Sequence, residues 1–398
     1  MKKVAIVGGG LAGLTCAFML QRKGIANVVF ESSAGAGGRC AAATYLLGRE
    51  PYSNTFGLIE SLGLSRAVIE IPPVAGQFYK GHVYRHRVSS ATGLLRFKGL
   101  NIADKALLSR MAYLLVRYGS KLDFHRPEAG VDLDDESVAT FVKRELSQNI
   151  LNYVAGPLIS TLFFYGSEET SKLLYLNLAN YMHNTRISTL RGGLRALTHA
   201  LAGKVRVDGE TPVTRIVADG PGYLVNDRAF SHVVFALPGN AVLSIRGVKE
   251  MLSVEDVAFF EGCRYGRAVS ISLETEEVLD RCYGVAVPRV EKSRVATVVH
   301  HGFFDPADRR VTIIGGGDDV SVEDLLKDAR RIYPRIQAGQ SGHEWPVAMP
   351  KFPPGRFREI SGFLNRKRRS GLLFCGDYLM GPFVEAAVTT ALKASEGV

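Results

Sequence analysis

The feature that most constrains the fold is a glycine-rich turn near the start of the chain. It lies between a short apolar run with β-branched residues, 3–7, and the apolar stretch 14–20, and it reads Gly8-Gly9-Gly10-Leu11-Ala12-Gly13. A second apolar run follows and ends at Glu31. Strand, glycine turn, helix, strand and acid, in this order, form the βαβ unit that binds the phosphates of a dinucleotide.

The glycines of this turn have separate physical tasks. Gly8 allows the tight turn, Gly10 lets the backbone approach a pyrophosphate, and Gly13 lets the helix pack closely on the strand. The helix begins at Leu11 and Ala12, and its free N–H groups and partial positive charge favour an anion there. The turn therefore predicts a phosphate site at the helix N-terminus.

Glu31 follows the glycines at the spacing of the ribose-binding acid in this unit, about 20 residues on. Its carboxylate is predicted to accept a hydrogen bond from a ribose 2′-OH. A second glycine-rich loop comes next and closes with Gly37-Gly38-Arg39. Because it follows the first turn so closely, Gly38 and Arg39 are predicted to lie beside the same phosphates, where a guanidinium donates two hydrogen bonds to a pyrophosphate.

Length and composition indicate a two-domain globular protein. The chain has 398 residues, of which 46% are hydrophobic and 22% charged. A chain of this length is too long for one ordinary hydrophobic core, so two domains are expected. The net charge of +10 favours acidic ligands or an anionic membrane surface. The alternative is a basic surface that binds no such partner. Nucleic acid is the third class of partner that a basic chain could bind, and no motif in the sequence supports it.

The cysteines, the N-terminus and the apolar runs indicate where the protein works. Its five cysteines are scattered and never form a CxxC pair, which predicts a reducing compartment, no disulfide framework and no metal site. The chain enters its first strand directly, without a signal peptide, and has no apolar run of the roughly 20 residues that a spanning helix needs. A cytoplasmic protein, at most peripheral on a membrane, is expected.

The glycine turn, Glu31 and the Gly37-Gly38-Arg39 loop together resemble the FAD-binding amine-oxidase superfamily. That superfamily includes protoporphyrinogen oxidases, phytoene-type desaturases, and monoamine and polyamine oxidases. The middle of the chain resembles the protoporphyrinogen-oxidase group most, through residues 137–141, 157–160 and 166–171. The resemblance implies FAD as the cofactor. It also implies non-covalent binding, because Val347 occupies the position of the cysteine that attaches the flavin in some members.

The resemblance implies further contacts with FAD. A strand residue, Val213, would hold the adenine through its backbone N–H and C=O. Near the C-terminus a buried strand leads to Gly376 and Asp377, whose carboxylate would accept from the ribityl hydroxyls. The helix that begins near Val384 would point its N-terminus at the flavin edge that gains negative charge on reduction. The chain departs from the family pattern in the short segment 40–47.

The expected fold is α/β: a Rossmann-like FAD-binding domain with a parallel sheet and an inserted α+β substrate domain, made of a helical cap and an antiparallel sheet. The FAD-binding domain comprises residues 1–65, 190–245 and 345–398, and the substrate domain 66–189 and 246–344. Apolar residues at helical spacing, interleaved with basic ones, predict a helix within 99–122. This helix either has one core face and one solvated face or contacts a membrane surface.

The implied activity is hydride removal from a C–H bond of a small, acidic or lipophilic substrate to flavin N5. The reaction would be protoporphyrinogen-oxidase-like or desaturase-like, and no residue is assigned as catalytic acid or base. Two features depart from the pattern of amine oxidases. Ser270 stands where many of them have a lysine. Of the two aromatic rings that usually enclose the amine, Phe383 could provide one, but Ala348 stands at the position of the other. An amine or amino-acid oxidase that releases hydrogen peroxide, and a non-catalytic binding protein of the same fold, remain alternatives.

Overall fold

A computed structural model describes residues 2–41, 46–87, 91–182, 185–274, 281–317, 319–334 and 341–398. The strands in these ranges are β1 Lys3–Val7, β2 Ala26–Phe30, β3 Leu47–Gly48, β4 Val68–Glu70, β5 Val74–Tyr79, β6 His82–Arg87, β7 Ile187–Leu190, β8 Val207–Asp208, β9 Ile216–Asp219, β10 Gly222–Val225, β11 Arg228–Phe230, β12 His232–Phe235, β13 Tyr265–Glu274, β14 Gly284–Ala286, β15 Val295–His300, β16 Arg310–Gly316, β17 Ser341–Pro350 and β18 Leu372–Phe374.

The helices in the same ranges are α1 Leu11–Arg22, α2 Ser53–Ser61, α3 Ala91–Arg96, α4 Ile102–Tyr118, α5 Val138–Glu145, α6 Gln148–Ile150, α7 Gly156–Phe163, α8 Lys172–Met182, α9 Leu194–Ala202, α10 Val254–Glu261, α11 Val322–Ile332, α12 Arg356–Asn365 and α13 Val384–Glu396. The chain divides into two compact units. The first unit comprises residues 1–68, 189–264 and 359–398, and the second comprises 69–188 and 265–358.

The first unit is built on a parallel sheet in the order β18-β12-β1-β2-β8. Its central strand β1 is buried on both faces, as parallel sheets require: Val4, Ala5 and Ile6 have no exposed surface. Helix α1 follows β1 and is apolar on all sides, which is typical of a buried helix. Leu11 and Leu14 of α1 pack into one apolar cluster of this unit, and its other buried side chains pack into a second.

The second unit contains a seven-stranded sheet in the order β17-β13-β16-β15-β14-β5-β6. Its neighbouring strands are antiparallel except β14 and β5, which run parallel. Alternate residues of β13, among them Val269 and Ile271, pack with Leu325 and Ala329 of α11 in the core of this unit. The α/β class with a parallel sheet and a mainly antiparallel second sheet is thereby confirmed.

A π-helix, Leu151–Ala155, joins α6 to α7 in the second unit. Pro157 lacks an N–H group, so the carbonyl of Tyr153, four residues earlier, loses its normal helical donor. The side chain of Gln77 replaces that donor, with its Nε2 atom 2.7 Å from the Tyr153 oxygen. The irregular helix is thus stabilised by a buried polar side chain from β5, since an unpaired buried carbonyl costs about 1–3 kcal/mol.

The boundaries of the two units differ from those expected at residues 245 and 345. Helix α10 belongs to the first unit because Phe259 stacks on Phe363 with ring centroids 4.1 Å apart and Asp256 pairs with Arg366 and Arg368. Strand β17 belongs to the second unit because it pairs along its length with β13. Both differences depend on contacts between distant segments, which local sequence patterns do not reveal.

Candidate functional site

The first glycine turn adopts the geometry that its spacing predicts. Gly8 has φ +108°, a backbone conformation that favours glycine, and a methyl group there would lie 2.8 Å from the carbonyl oxygen of Ala236. A methyl group on Gly13 would lie only 2.0 Å from the carbonyl oxygen of Gly8. Strand β1 and helix α1 therefore pack closer than any side chain at Gly13 permits.

The N-terminus of α1 has no side-chain cap. Gly10 occupies the cap position, and no side chain accepts a hydrogen bond from the first turn, which begins with Leu11 and Ala12. A helix leaves its first N–H groups without an intrahelical partner, so these donors are available to an anion. A methyl group on Gly10 would meet no atom of the described residues within 4 Å, so among these residues the space beside the donors is open.

Glu31 is held in place by the glycine turn and by its own loop. Its Oε2 accepts from the N–H of Gly9 at 2.8 Å, and its Oε1 accepts from the N–H of Ser33 at 2.8 Å and from the Ser32 hydroxyl at 3.2 Å. A carboxylate has about four acceptor positions, so Glu31 retains capacity for a ligand hydroxyl. The carboxylate is fixed at the end of β2, where the sequence predicts it.

The second glycine loop packs directly on the first. The N–H of Gly37 donates to the carbonyl of Gly9 at 2.8 Å, and Gly10 and Gly37 form an isolated parallel bridge. Gly38 has φ +52°, and a methyl group there would lie 3.2 Å from the Cα of Gly10. The left-handed backbone favours glycine at position 38, and the contact carries the next residue, Arg39, to the edge of the phosphate turn.

Arg39 and Asp377, both predicted to contact the cofactor, form an ion pair with each other. The Nη1–Oδ2 and Nη2–Oδ1 distances are both 2.9 Å, so the pairing is bidentate. The Asp377 side chain is nearly buried and that of Arg39 is about one quarter exposed. The two residues are 338 positions apart in the chain, and the pair joins the start of the first unit to its C-terminal segment.

The loop after β18 leads into a second uncapped helix. Gly376 has φ +151°, and its N–H donates to the Thr390 hydroxyl at 2.9 Å. Helix α13 begins at Val384, as predicted, with Phe383 at its cap position and no side-chain cap. The first unit thus presents the N-termini of α1 and α13 as positively polarised helix ends, an arrangement that suits a dinucleotide with a redox-active ring.

Glu385, in the first turn of α13, was not predicted from the sequence. It has no exposed surface, and its Oε1 accepts from the N–H of Asn54 at 3.0 Å. Its Oε2 accepts from the N–H of Thr55 at 2.9 Å and from the Thr55 hydroxyl at 2.6 Å. Glu385 therefore caps α2 from another helix. The signal in the sequence was an acid in a helical first turn that is otherwise apolar.

Replacing Glu385 with alanine is expected to lower the free energy of unfolding by about 3 kcal/mol, because buried donors lose a charged acceptor. Glutamine, which keeps one acceptor oxygen, should lose roughly half as much. Urea unfolding of the two variants measures both values. The matched control is Glu396→Ala, an exposed acid in the last turn of the same helix, whose effect should stay within about 0.5 kcal/mol. Wild-type stability of Glu385→Ala would refute the assigned role.

The structure corrects the predicted environment of Val213. This residue lies in an irregular segment between β8 and β9, not in a strand. The segment is anchored near Glu31, because the N–H of Thr211 donates to the Glu31 carbonyl at 2.8 Å. Proline at 212 has no N–H with which to join a ladder, which explains the irregular backbone.

Of the short segment 40–47, residues 42–45 lie outside the described residues.

The cysteines of this unit do not offer a reactive thiolate. Burial raises the pKa of the Cys40 thiol to about 12, and burial also raises the pKa of Cys375, which precedes Gly376. Since the thiolate is the nucleophilic form, both residues are unreactive at neutral pH. All five cysteines are buried free thiols.

In the second unit, Ser270 of β13 hydrogen-bonds to a neighbouring strand. Its hydroxyl accepts from the indole Nε1 of Trp345 on β17 at 3.2 Å. Arg267 of the same strand pairs with Glu344 at 2.7 Å. Ser270 thus occupies a polar position on β13, and Ala348 on β17 is buried.

The fold and the site define a dinucleotide-binding protein with two uncapped helix N-termini and a ribose-directed acid. Residues 11–398 match the profile of the family described as flavin containing amine oxidoreductase, so the chain belongs to that family. It is therefore an FAD-dependent oxidoreductase. The residues present fit FAD, because no described residue fills the space at Gly10 beside the uncapped helix N-terminus and the Glu31 carboxylate retains capacity for a ligand hydroxyl.

Known proteins similar to the chain differ in what they act on. The carotenoid phi-ring synthase of Streptomyces griseus is 23% identical over 428 residues, spanning 90% of this chain and 80% of the relative. A cyclohexylamine oxidase from Brevibacterium oxydans IH-35A has a TM-score of 0.77 at 18% identity. A proposed protoporphyrinogen oxidase from Exiguobacterium sp. 255-15 has a TM-score of 0.75 at 16% identity. Each structural match covers 99% of this chain and 98% of the solved one, and it establishes the shared fold.

Proposed function

We propose that this oxidoreductase dehydrogenates a C–H bond of a non-amine organic substrate, in a protoporphyrinogen-oxidase-like or desaturase-like reaction. The observation that carries the proposal is the position of Ser270 on β13, where its hydroxyl accepts from Trp345 of β17. The amine oxidases that the chain resembles are expected to have a lysine at this position. When bound, FAD accepts the hydride at N5. The proton of a neighbouring substrate atom would leave to water as the double bond forms, and oxygen or another acceptor would take up the two electrons.

The cofactor contacts are part of this proposal. Glu31, already oriented by Gly9, binds the adenosine ribose, and the N-terminus of α1 binds the diphosphate. Arg39 holds Asp377 at the ribityl chain through its two hydrogen bonds. The remaining contacts proposed are those of Gly38, Gly376, the backbone of Val213 with the adenine, and the start of α13 at Val384 with the flavin ring. Binding is non-covalent in this scheme.

Two further observations support a lipophilic or acidic substrate. The carotenoid phi-ring synthase matches 90% of the chain, and its name concerns a polyene. The net charge of +10 suits a substrate with carboxylates, such as a porphyrinogen.

An amine substrate is the second candidate. It is favoured by the family to which the chain belongs and by the fold it shares with cyclohexylamine oxidase. Because the chain belongs to an oxidoreductase family, the third alternative, a non-catalytic binding protein of the same fold, has no support.

Anaerobic reduction of the bound flavin tests the proposal. The purified, FAD-loaded protein is mixed in turn with protoporphyrinogen, with linear and cyclic carotenoids, and with a set of primary and secondary amines, and the visible flavin absorption is followed. We expect bleaching by a member of the first two groups and none by amines. The same substrates mixed with free FAD provide the background. Bleaching by amines alone, with peroxide released in air, would assign the second function instead.

A further inference from the structure

The exposed apolar side chains of the second unit are concentrated on helix α4 and the helix before it. Of the eight large apolar side chains exposed in the described part of the chain, four lie between residues 95 and 116. Ile102 and Val116 of α4 are 87% and 82% exposed, Tyr113 is 56% exposed, and Leu95 of α3 is 47% exposed. This segment therefore presents apolar surface to solvent far beyond the scattered single residues that are usual.

The exposed residues of α4 form one stripe along the helix. Ile102, Ala106, Ser109, Tyr113 and Val116 are spaced four, three, four and three residues apart, which places them on one face. The opposite face is fixed to the protein. There Leu114 is buried, and Asp104 is buried and accepts hydrogen bonds from Ser147 at 2.7 Å and from Asn149 at 3.0 Å. The helix cannot rotate its apolar stripe inward without breaking these contacts.

The charged side chains of α4 that border the stripe are all basic, and one of them, Arg110, is paired with Glu145 of α5. Lys105 lies on one side of it, and Arg110 and Arg117 lie on the other. The only acid of α4 is Asp104, which is enclosed in the capping box with Asn101 on the buried side. An apolar stripe between basic side chains is the pattern of a helix that lies in the plane of a membrane interface, with its apolar face among the lipids.

We propose that the exposed face of α4, with Leu95 beside it in sequence, docks on an anionic lipid bilayer. The basic border complements phosphatidylglycerol or phosphatidylserine headgroups. A second copy of the chain suits the stripe less well, because each copy has a net charge of +10 and the same basic border. No helix among the described residues is long and apolar enough to span a membrane, so the contact is with one face of the bilayer.

Vesicle co-sedimentation of the FAD-loaded protein tests the proposal. Vesicles of phosphatidylcholine alone are compared with vesicles of phosphatidylcholine and phosphatidylglycerol in equal parts. We expect wild-type protein to bind the anionic vesicles and to bind them less at high salt, because salt screens the basic border. The double variant Ile102→Ser, Val116→Ser should bind at least about tenfold more weakly, since two side chains lose their burial in lipid.

Val254→Ser is the matched control, because Val254 is an 83% exposed valine of a helix in the first unit. Its vesicle binding should equal that of wild type. Because the three substituted side chains are exposed, the double variant and Val254→Ser should both fold normally. A thermal unfolding scan of each variant checks this. The proposal is overturned if wild-type protein stays in the supernatant with both vesicle types, or if Val254→Ser weakens binding as much as the double variant. Concentration-dependent dimerisation that the double variant abolishes would assign the stripe to a second copy instead.

Discussion

Replacing Gly10 with alanine is expected to yield a folded protein that is purified without its flavin colour. Gly10 has φ −73° and ψ −179°, which alanine adopts readily, and the added methyl group would meet no protein atom within 4 Å. The methyl group would instead project into the space before the α1 donors, where the diphosphate is proposed to lie. Losing two charge-assisted hydrogen bonds costs about 3 kcal/mol or more, so FAD should bind at least about a hundredfold more weakly.

Two further glycine variants separate cofactor loss from unfolding. Gly57→Ala is the control: Gly57 lies inside α2, a methyl group there has open space, and both colour and stability should be kept. Gly13→Ala should instead destabilise the protein itself, because its methyl group would clash with the Gly8 carbonyl at 2.0 Å. Circular dichroism reports the fold and visible absorption reports the flavin. A Gly10→Ala protein that binds FAD as wild type does would contradict the proposed diphosphate position.

Replacing Asp377 with alanine is expected to weaken both FAD binding and the stability of the first unit. The change removes the two contacts of 2.9 Å with Arg39 and leaves a partly buried guanidinium without its carboxylate. Breaking a fully buried pair costs about 3–5 kcal/mol, and an exposed pair contributes less than about 1 kcal/mol, so a loss of about 2 kcal/mol is expected here. Thermal unfolding with and without FAD measures it.

A double-mutant cycle gives this prediction its control. If the pair acts as a unit, Arg39→Ala and the double variant should each lose about as much stability as Asp377→Ala, with a coupling of about 1–2 kcal/mol. Asp377→Asn should bind FAD better than Asp377→Ala, since the amide oxygen still accepts from a hydroxyl. The exposed pair of Lys249 and Glu261, 3.3 Å apart, is the reference, and Glu261→Ala should change stability by less than about 0.5 kcal/mol. Additive effects at Arg39 and Asp377 would show that the pair is incidental.

Much of the first unit could be predicted because its signals are local. The turn at Gly8–Gly13 is a single stretch in which strand, turn and helix follow within a few residues, so backbone conformation and packing constrain each position directly. The start of α13 at Val384 also agreed with the predicted helix. The backbone at Val213 was not predicted correctly, because Pro212 has no N–H with which to join a ladder.

The sequence by itself determined that the chain contains a dinucleotide-binding βαβ unit. Backbone conformation requires glycine at Gly8, and the close packing of helix on strand requires it at Gly13. The tertiary structure alone decided how the rest of the site is held. Arg39 meets Asp377 and Glu385 caps α2 only because the parallel sheet brings β18 back beside β12, one strand from β1, and α13 packs against α1. Hydrogen bonds and ion pairs between segments 330 or more positions apart depend on three-dimensional proximity, which a linear pattern does not encode.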